Sequence, residues 1–419
     1  MNRIERMVAE MCPDGVEFFA LSSVVSMIEQ ISWDDHLGES FQYVDLGSVN
    51  SRTGRIDVLD TITALDAPSR ARQIIVDGDT LFGTTRPLLH RVAFVDSSLD
   101  GQICSTGYCV LRPINELIEP RFLFHLICST GFLEHVAKFQ EGASYPSISR
   151  RDVLKYLIPV PPIEIQREIV DILDSFTRLE AELEAELEAR KAQYAFFRDR
   201  LLSFDFDRGG GFSLGGIRAF EVKWAPMGEV FEMRRGHGMP KELFVSEGVP
   251  AIHYGHIYTR YGVSTRKSEA YVAEDSNSSL IRVIPGDVVM AATSENLEDV
   301  GKATVWLGDR PAVTGGHTTV LSSENDGRFI SHYLRSAGFQ RMKRRAARGT
   351  KVVELSGEPL SKIKVPIPPL EVQRRIADVL DDFDALVNDL SSGLPAEIAA
   401  RRQQYEYYRD RLLTFPEKK

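Results

Sequence analysis

The chain has 419 residues, of which 43% are hydrophobic and 26% are charged, and its formal net charge is −10. This length exceeds one ordinary hydrophobic core and indicates at least two domains. No run of eighteen apolar residues is present, and the opening MNRIERMVAEMCPDG lacks the apolar stretch of a secretory signal. We therefore expect a cytoplasmic protein that has no membrane partner.

The cysteine pattern and the net charge bear on two further classes of protein, those with a structural zinc site and those that bind nucleic acid. The four cysteines form no C-x-x-C, so we expect reduced thiols and no structural zinc site. The negative balance, taken alone, argues against a nucleic-acid partner. Because net charge is a poor guide when charges are segregated, the location of the basic residues matters more.

Read in chain order, the elements of the first half recur in the second half at an offset near 206 to 211 residues. Such self-similarity indicates a tandem duplication. The first copy contains FQYVDLGSV (41–49), VDGDTLF (76–82), PVPPIEIQREIVDILDSF (159–176) and YAFFRDRLLSF (194–204). Their counterparts are VPAIHYGHI (249–257), IPGDVVM (284–290), PIPPLEVQRRIADVLDDF (366–383) and YEYYRDRLLTF (405–415).

The duplicated phrases predict a long helix after each globular region, with proline tolerated in the first turn. Apolar residues alternate in steps of 4 and 3, which is the seam of a coiled coil. The first helix, of roughly 60 Å at 1.5 Å per residue, is too long for its own domain to cover, so we expect the two helices to pair antiparallel. Two unrelated amphipathic helices, each on its own domain, are the alternative. The seam residues are Ile165, Ile169, Ile172, Phe176, Leu179 and Leu183 in the first copy, and Val372, Ile376, Val379, Phe383, Leu386 and Leu390 in the second.

The two helical regions differ in length by four residues. The second contains Ser391-Ser392-Gly393-Leu394-Pro395, which predicts a break or kink, whereas the first runs on through EAELEAELEARK. The sequence thus predicts mixed α/β (α+β) globular domains in tandem, each followed by a long helix, with pseudo-twofold symmetry. The predicted boundaries are 1–158 and 206–365 for the domains, and 159–205 and 366–419 for the helices.

No catalytic motif emerges from the sequence. There is no [ND]-P-P-[YF] methyl-transfer motif, no G-x-x-x-x-G-K-[ST] phosphate loop and no G-x-S-x-G elbow. His253-Tyr254-Gly255-His256 hints at a metal, but a strand would place these histidines on opposite faces. We expect a chain without a metal, a cofactor or catalytic residues of its own.

Basic residues, often beside aromatic ones, cluster in predicted loops of both copies, and 341–351 reads RMKRRAARGTK without an acid. Phosphates suit such clusters, and arginine on a loop suits bidentate contact with guanine. A solvated surface remains the alternative for each cluster taken alone. The candidate DNA-binding residues are Arg52, Arg55, Arg70, Arg72, Arg86, His90, Tyr145 and Arg150 in the first copy, and Arg234, Arg235, His237, Lys241, Tyr258, Arg260, Arg266, Lys267, Arg341, Lys343, Arg344, Arg345 and Lys351 in the second.

Over essentially its whole length the chain resembles the DNA specificity subunits of type I restriction–modification systems. The residues that carry the resemblance are PVPPIEIQREI with FFRDRLLSF and PIPPLEVQRRI with YYRDRLLTF, supported by the Gly-Asp segments and by GASYPSIS and GTKVVELS. The resemblance implies two target recognition domains, each reading one half of a split double-stranded DNA site. It also implies that the helix pair acts as a ruler for the gap between the half-sites.

The resemblance further implies partners: two methylation subunits docked on the helices, and restriction subunits. Those partners would use S-adenosylmethionine, ATP and magnesium, so the chain itself is expected to be non-catalytic. Two other interpretations stay open on residues alone. One is a coiled-coil adaptor that does not bind DNA, and the other is an enzyme with a degenerate motif.

Overall fold

The computed structural model describes residues 3–51, 54–204, 220–236, 238–274, 280–389 and 392–418, with the side chain of Lys241 excepted. The chain divides into unit 1, residues 1–182 with 399–419, and unit 2, residues 183–398. This division differs from the predicted linear boundaries because each unit contains helical residues from both copies.

Unit 1 is a mixed α/β assembly. Its helices are α1 (Arg3–Met11), α2 (Leu21–Val24), α3 (Pro120–Ile127), α4 (Thr130–Phe139) and α5 (Arg150–Val153). Its strands are β1 (Phe18–Ala20), β2 (Val25–Ser26), β3 (Ser40–Val44), β4 (Asp60–Thr63), β5 (Ala71–Ile74), β6 (Thr80–Gly83), β7 (Val92–Phe94), β8 (Ile103–Ser105), β9 (Tyr108–Pro113) and β10 (Leu157–Pro159). They form sheets ordered β2-β9-β6-β7, β4-β3-β8-β5 and β1-β10. The buried cluster around Phe82, Phe122 and Phe132 packs α3 and α4 against β6.

Unit 2 repeats this plan. Its helices are α7 (Met227–Val230), α8 (Tyr254–Thr259), α9 (Gly327–Leu334), α10 (Ala337–Ala346), α11 (Gly357–Ser361) and α12 (Leu370–Asn388). Its strands are β11 (Lys223–Pro226), β12 (Glu232–Arg235), β13 (Phe244–Val245), β14 (Val249–Ile252), β15 (Ser264–Thr265), β16 (Tyr271–Val272), β17 (Ile281–Val283), β18 (Val288–Ala291), β19 (Thr293–Ser294), β20 (Ala303–Trp306), β21 (Ala312–Thr314), β22 (Thr318–Ser322), β23 (Val353–Glu354) and β24 (Lys364–Ile367). The sheet orders are β12-β22-β18-β20-β15, β13-β16-β14-β21-β17, β19-β23 and β11-β24.

The predicted long first helix is confirmed. It is α6 (Ile163–Ser203), whose residues up to 182 belong to unit 1 and whose later residues belong to unit 2. The second helical region is broken as expected, because α12 ends at Asn388 and α13 (Leu394–Leu412) begins after the Ser-Gly segment. Gly393 lies so close to the end of α12 that an added Cβ would be 2.5 Å from the Ala385 carbonyl oxygen.

Helix pairing is seen inside each unit. In unit 1, Phe176 stacks on Tyr408 at 5.5 Å between ring centroids, and Glu180 forms an ion pair with Arg402. Since the partner numbers fall as the α6 numbers rise, these segments run antiparallel. In unit 2, Phe197 stacks on Phe383 at 5.9 Å, which is the same contact with the two copies exchanged.

Burial along the helices departs from the predicted seam. Ile165, Ile169, Val372 and Ile376 are buried, and Ile172, Phe176, Leu183 and Phe383 are half-buried. Leu179, Val379 and Leu386 are each more than a third exposed, so burial does not follow the whole predicted seam. Leu390 lies outside the described residues. The neighbouring Leu173 and Leu380 are fully buried instead, because the first turns pack on the globular part of each unit rather than on a helix alone.

Each Gly-Asp turn is built in the same way. Gly78 and Gly286 have φ of 90° and 100°, in the left-handed region that favours glycine. The carboxylate of the next residue accepts a 2.9 Å hydrogen bond from a backbone N–H two residues before the glycine: Val76 donates to Asp79, and Ile284 to Asp287. These hydrogen bonds therefore hold the backbone of the turn in place immediately before β6 and β18.

The arginine that pairs with this aspartate comes from a different strand in each unit. In unit 1, Arg112 on β9 donates to Asp79 from Nε at 3.0 Å and from Nη2 at 2.9 Å. The position of Arg112 is taken in unit 2 by Ser322, as the strand registers show. Arg234, on the neighbouring β12, donates there to Asp287 at 3.2 Å and to the Ser322 hydroxyl at 2.8 Å.

A buried histidine joins the helices to the globular part of unit 1. His125 lies with Nε2 2.8 Å from the Asp174 carboxylate and Nδ1 2.9 Å from the Tyr405 hydroxyl. Burial lowers the pKa of His125, which favours the neutral ring. A neutral ring in this position would donate from Nε2 to the Asp174 carboxylate and accept at Nδ1 from the Tyr405 hydroxyl. Burial opposes ionisation of Asp174, but hydrogen bonds from His125 and Arg121 lower the pKa of Asp174 to about 2.

Unit 2 contains the same arrangement with the copies exchanged. His332 lies with Nε2 2.8 Å from Asp381 and Nδ1 3.1 Å from the Tyr194 hydroxyl. We call these two sets of histidine, aspartate and tyrosine the clasps. In each clasp the aspartate comes from the helix that follows the unit's own domain, and the tyrosine comes from the end of the other copy's helix.

A second contact accompanies each clasp. Asp410 accepts hydrogen bonds from the Thr130 N–H at 3.1 Å and from the Thr130 hydroxyl at 2.5 Å. Asp199 accepts one from the Ala337 N–H at 3.0 Å. Both aspartates belong to the duplicated R-D-R-L-L phrase. That phrase therefore anchors each helix end at the first turn of α4 or α10.

The cysteines Cys12, Cys104, Cys109 and Cys128 are all free. Within the described ranges, no helix is both long enough and apolar enough to cross a lipid bilayer.

Candidate nucleic-acid interface

Three loops converge in unit 1 beyond the ends of β6, β8 and α4. We call them the tip of unit 1: residues 84–91, 105–108 and 141–147. The Thr84 N–H donates to the Gly107 carbonyl at 2.9 Å, and the Arg86 N–H donates to the Pro146 carbonyl at 2.7 Å. Backbone hydrogen bonds thus bind the three loops into one surface.

The side chains at this tip suit contact with bases. The guanidinium carbon of Arg86 lies 4.6 Å from the ring centroid of Tyr145, which is 71% exposed. An exposed arginine offers a planar set of donors that matches the guanine edge, and an exposed ring can stack on a base. The tip of unit 1 can therefore present both a donor fork and a stacking surface.

The loop that carries Arg86 is held in an unusual backbone conformation. Arg86 and His90 have φ of 48° and 53°, on either side of a 3-10 turn at Pro87–Leu89. Left-handed non-glycine residues cost free energy, and strained backbone conformations cluster at functional sites. The loop is tied down by His90, whose Nε2 lies 3.3 Å from the Ile127 carbonyl oxygen and whose pKa is lowered by burial.

The tip of unit 2 consists of the equivalent loops, residues 292–302, 314–318 and 348–354. The Ala292 N–H donates to the His317 carbonyl at 2.7 Å, and the Leu355 N–H donates to the Ala292 carbonyl at 2.8 Å. These bonds match those made by Thr84 with Gly107 and by Ile148 with Thr84 in unit 1. The two units thus share one tip backbone.

Different side chains hold the unit 2 tip together. The Tyr258 hydroxyl donates to the Thr293 carbonyl, and the Thr293 hydroxyl lies 2.7 Å from His317 Nδ1. Lys343 donates from Nζ to the Glu298 carbonyl oxygen at 3.1 Å. Burial, with the charges of Lys302 and Arg344, lowers the pKa of Lys343 to about 8.

The sequence candidates fall into three groups by position. Some lie in a tip or donate to one, some are exposed elsewhere, and some face inward. In or against the tips lie Arg70, whose carbonyl accepts from Thr106, and Arg86, His90, Tyr145, Arg235, Tyr258 and Lys351. Exposed outside the tips are Arg55, Arg72, Arg260, Arg266 and Lys267, and on α10 Arg341, Arg344 and Arg345. Arg52, His237 and the side chain of Lys241 lie outside the described residues.

Three candidates have internal roles. Lys343 is fully buried and its ammonium points inward to the Glu298 carbonyl, so this structure does not present it to a phosphate, and its predicted contact with DNA stays a prediction. Arg234 is committed to Asp287 and Ser322, and Arg150 donates to the Val110 carbonyl at 2.9 Å. Both guanidinium groups thus donate hydrogen bonds within their own unit.

Sequence reasoning missed the clasps and Arg112. A usable signal was present, because Arg121-Phe122-x-x-His125 recurs as Arg328-Phe329-x-x-His332 at the same offset. Arg112 left no such signal, since its counterpart is a serine and the charge moved to another strand. In the described ranges, no group of three or more His, Cys, Asp or Glu is placed to hold a metal ion.

We call the Gly-Asp turn, the clasp and the anchored R-D-R-L-L phrase, which both units share, the frame. A duplicated frame that carries two different tips defines a tandem recognition protein. Comparison with known proteins gives the family. The model of the type I restriction modification DNA specificity domain matches residues 14–189 and again residues 221–400. The chain therefore belongs to the type I restriction–modification DNA specificity family and contains two copies of its domain.

Individual relatives agree with this assignment. The chain is 32% identical to the EcoR124I/EcoR124II specificity subunit of Escherichia coli over 280 residues, which cover 64% of this chain and 65% of that subunit. A chain from a study of assembly and conformational transition in a type I R-M system matches with a TM-score of 0.65 at 28% identity, covering 95% of this chain and 97% of that one. The HsdS subunit of Thermoanaerobacter tengcongensis matches with a TM-score of 0.50 at 28% identity, covering 96% and 97%.

Proposed function

We propose that this chain is the DNA specificity subunit of a type I restriction–modification complex, and that each unit reads one half of a split double-stranded site. The observation that carries the proposal is the repeated tip. One backbone arrangement of three loops occurs in both units and presents different exposed side chains in each. That is the design expected of two readers with different target sequences.

The helices would set the gap between the half-sites. Two weak readers on a stiff spacer gain affinity only at the separation that the spacer permits. The clasps support this role, because each one anchors the start of one helical region and the end of the other to a rigid globular part. The gap would therefore depend on helix length, and the half-site sequences on the tips.

The chain would supply recognition and no catalysis. Methylation and restriction subunits would bring S-adenosylmethionine, ATP and magnesium, together with the reactions that use them. Because the two helical regions present duplicated surfaces, two copies of one methylation subunit could dock in equivalent ways.

Binding to duplex DNA tests the proposal. We expect the full chain, with its methylation subunits, to bind a cognate duplex with an affinity that falls steeply with salt, as phosphate contacts require. Sequencing of methylated bases in the host should show a split motif that disappears when the gene is deleted. Replacing residues 1–158 by another recognition domain should change one half-site only. A complex that binds no duplex at any salt concentration would refute the proposal.

A further inference from the structure

The two units differ in charge along an equivalent stretch of 17 residues. In unit 2, residues 337–353 cover α10 and most of the following hairpin, and they contain six cations and no acid. In unit 1, the equivalent residues 130–146 contain two glutamates and one lysine. The backbones match, since Ser129 and Ser336 cap α4 and α10 through the same hydrogen bond to a phenylalanine N–H three residues on.

The cations of this stretch do not all face solvent. Lys343 turns inward to Glu298, and Arg341 and Arg345 line a cavity of about 520 Å³ together with Asp199. That carboxylate already accepts hydrogen bonds from Arg198 and from the Ala337 N–H. Arg341 and Arg345 are exposed but border that cavity, and the exposed cations away from it are Arg344, Arg348 and Lys351.

These three residues lie close together in the sequence, between the end of α10 and the turn of the following hairpin. Arg344 is in the last turn of α10, and Arg348 opens the hairpin by exchanging backbone hydrogen bonds with Glu354 at 2.9 and 2.8 Å. Gly349 has φ of 103°, and an added Cβ there would be 2.0 Å from the Val352 carbonyl oxygen, so the turn that exposes Lys351 requires glycine.

Among the described residues, no carboxylate lies within ion-pair distance of Arg344, Arg348 or Lys351. Glu354, in the same hairpin, is paired with Arg235, and Glu358, close enough to sense the charge of Arg348, is paired with Lys362. Like charges at this density repel one another unless a polyanion covers them.

We propose that Arg344, Arg348 and Lys351 form a phosphate-binding site for the DNA backbone, which unit 2 has and unit 1 lacks. Arg348 and Lys351 lie in the hairpin loop of the unit 2 tip, and Arg344 lies in the last turn of α10 just before it, so the site would grip the strand beside the bases that the tip reads. Since backbone phosphates are the same at every sequence, the site would add affinity without selectivity. This inference rests on the proposed function and deepens it.

The salt dependence of DNA binding tests the site. The variant Arg344→Gln/Lys351→Gln and the control Lys223→Gln/Lys364→Gln remove the same charge from the same unit, the control lysines being exposed on β11 and β24. Each is assembled with its methylation subunits and titrated against a cognate duplex and a duplex without either half-site. Removing one cation that touches a phosphate should make the slope of log K against log salt shallower by about 1.

For the Arg344→Gln/Lys351→Gln variant we expect a slope shallower by about 1 to 2 and equal fold-losses on both duplexes. The control should match the wild type, and so should Arg344→Lys/Lys351→Arg, because it keeps both charges. An unchanged slope, a loss confined to the cognate duplex, or loss of the methylation subunits with normal DNA binding would overturn the site. Failure of the wild-type complex to bind any duplex would instead refute the proposed function.

Discussion

The two units share a frame and differ at their tips. Both units keep the Gly-Asp turn, the clasp and the anchored R-D-R-L-L phrase. At the tips, the Arg86–Tyr145 pair of unit 1 has no counterpart, since Ser294 and Val352 occupy those positions in unit 2. Unit 2 instead carries exposed cations in its hairpin and in the last turn of α10. Buried, hydrogen-bonded groups are constrained by their partners inside the protein. Exposed groups lack that constraint and can differ between units that bind different ligands.

Even within the frame, the two units make the same interaction with residues at different positions. Asp79 and Asp287 both require a cation, yet Arg112 and Arg234 reach them from different strands. The loop after β6 is held by His90 through Ile127, and the loop after β18 by Lys343 through Glu298. A buried carboxylate or carbonyl must therefore be satisfied, and the fold offers more than one way to do so.

The largest effect is expected from the helix break, which only the second copy contains. The stretch from Asp381 to Tyr405 is four residues longer than the stretch from Asp174 to Tyr194. Deleting residues 391–394 would equalise the two stretches while the clasps hold their ends. We expect the complex either to change the gap between its half-sites or to fail to assemble, with both half-site sequences unchanged. Sequencing of methylated bases measures both quantities, and an unchanged gap with new half-sites would contradict the ruler.

The next largest effect is expected from the clasps. We expect the two clasps to stabilise their units by similar free energies. Asp174→Ala removes the partner of His125 and Arg121, and Asp381→Ala removes that of His332 and Arg328. Each substitution should lower the free energy of unfolding by about 2 to 3 kcal/mol, as for buried hydrogen bonds to a charged group. Denaturant unfolding would measure the loss of stability, and hydrogen exchange would show which unit is destabilised.

The exposed aspartates Asp171 and Asp382 serve as controls for the clasps, because they lie on the same helices and make none of these contacts. Their alanine variants should stay within about 0.5 kcal/mol of the wild type. If only one of the two clasp variants were destabilised, the equivalence of the units would not hold.

A smaller effect, confined to one half-site, is expected at the tip of unit 1. Tyr145→Ala removes an exposed ring and should weaken binding by about 1 to 3 kcal/mol, the range for loss of one stacked base. This weakening should vanish when the half-site read by unit 1 is scrambled in the duplex. Val352→Ala, at the equivalent position in unit 2, is the matched control and should cost less, because valine offers no stacking surface.

The smallest effect concerns the pH dependence of Lys343. Its pKa is lowered from 10.5 to about 8 in the folded chain, so between these values the unfolded chain retains a proton that the folded chain has released. Stability therefore rises with pH in this window. The free energy of unfolding of the wild type relative to Lys343→Met should increase as pH rises from 8 toward 10. Val136→Ala, at the equivalent position in unit 1, should show no such trend.

The duplication, the long helix and its broken counterpart were predictable from the sequence because they are local or repetitive. Helix length and heptad spacing follow from neighbouring residues, and Ser-Gly-x-Pro interrupts a helix in any context. The sequence indicated the tips only approximately, through basic residues in predicted loops. Arg86 and Tyr145 were candidates, but so was Lys343, and nothing in RMKRRAARGTK tells which lysine turns inward. Burial of one cation on a helix depends on what packs against that face.

From the amino-acid order alone it follows that two similar halves exist and that each ends in a helix with an apolar stripe. Which helix end meets which domain was settled by folding, because His125 is 280 residues from Tyr405 and His332 is 138 residues from Tyr194. Folding also settled that Arg234 supports a turn while Arg344 faces solvent. Pairing over such separations is set by burial and by the need to satisfy polar groups in a packed interior, and these conditions arise only when the chain has folded.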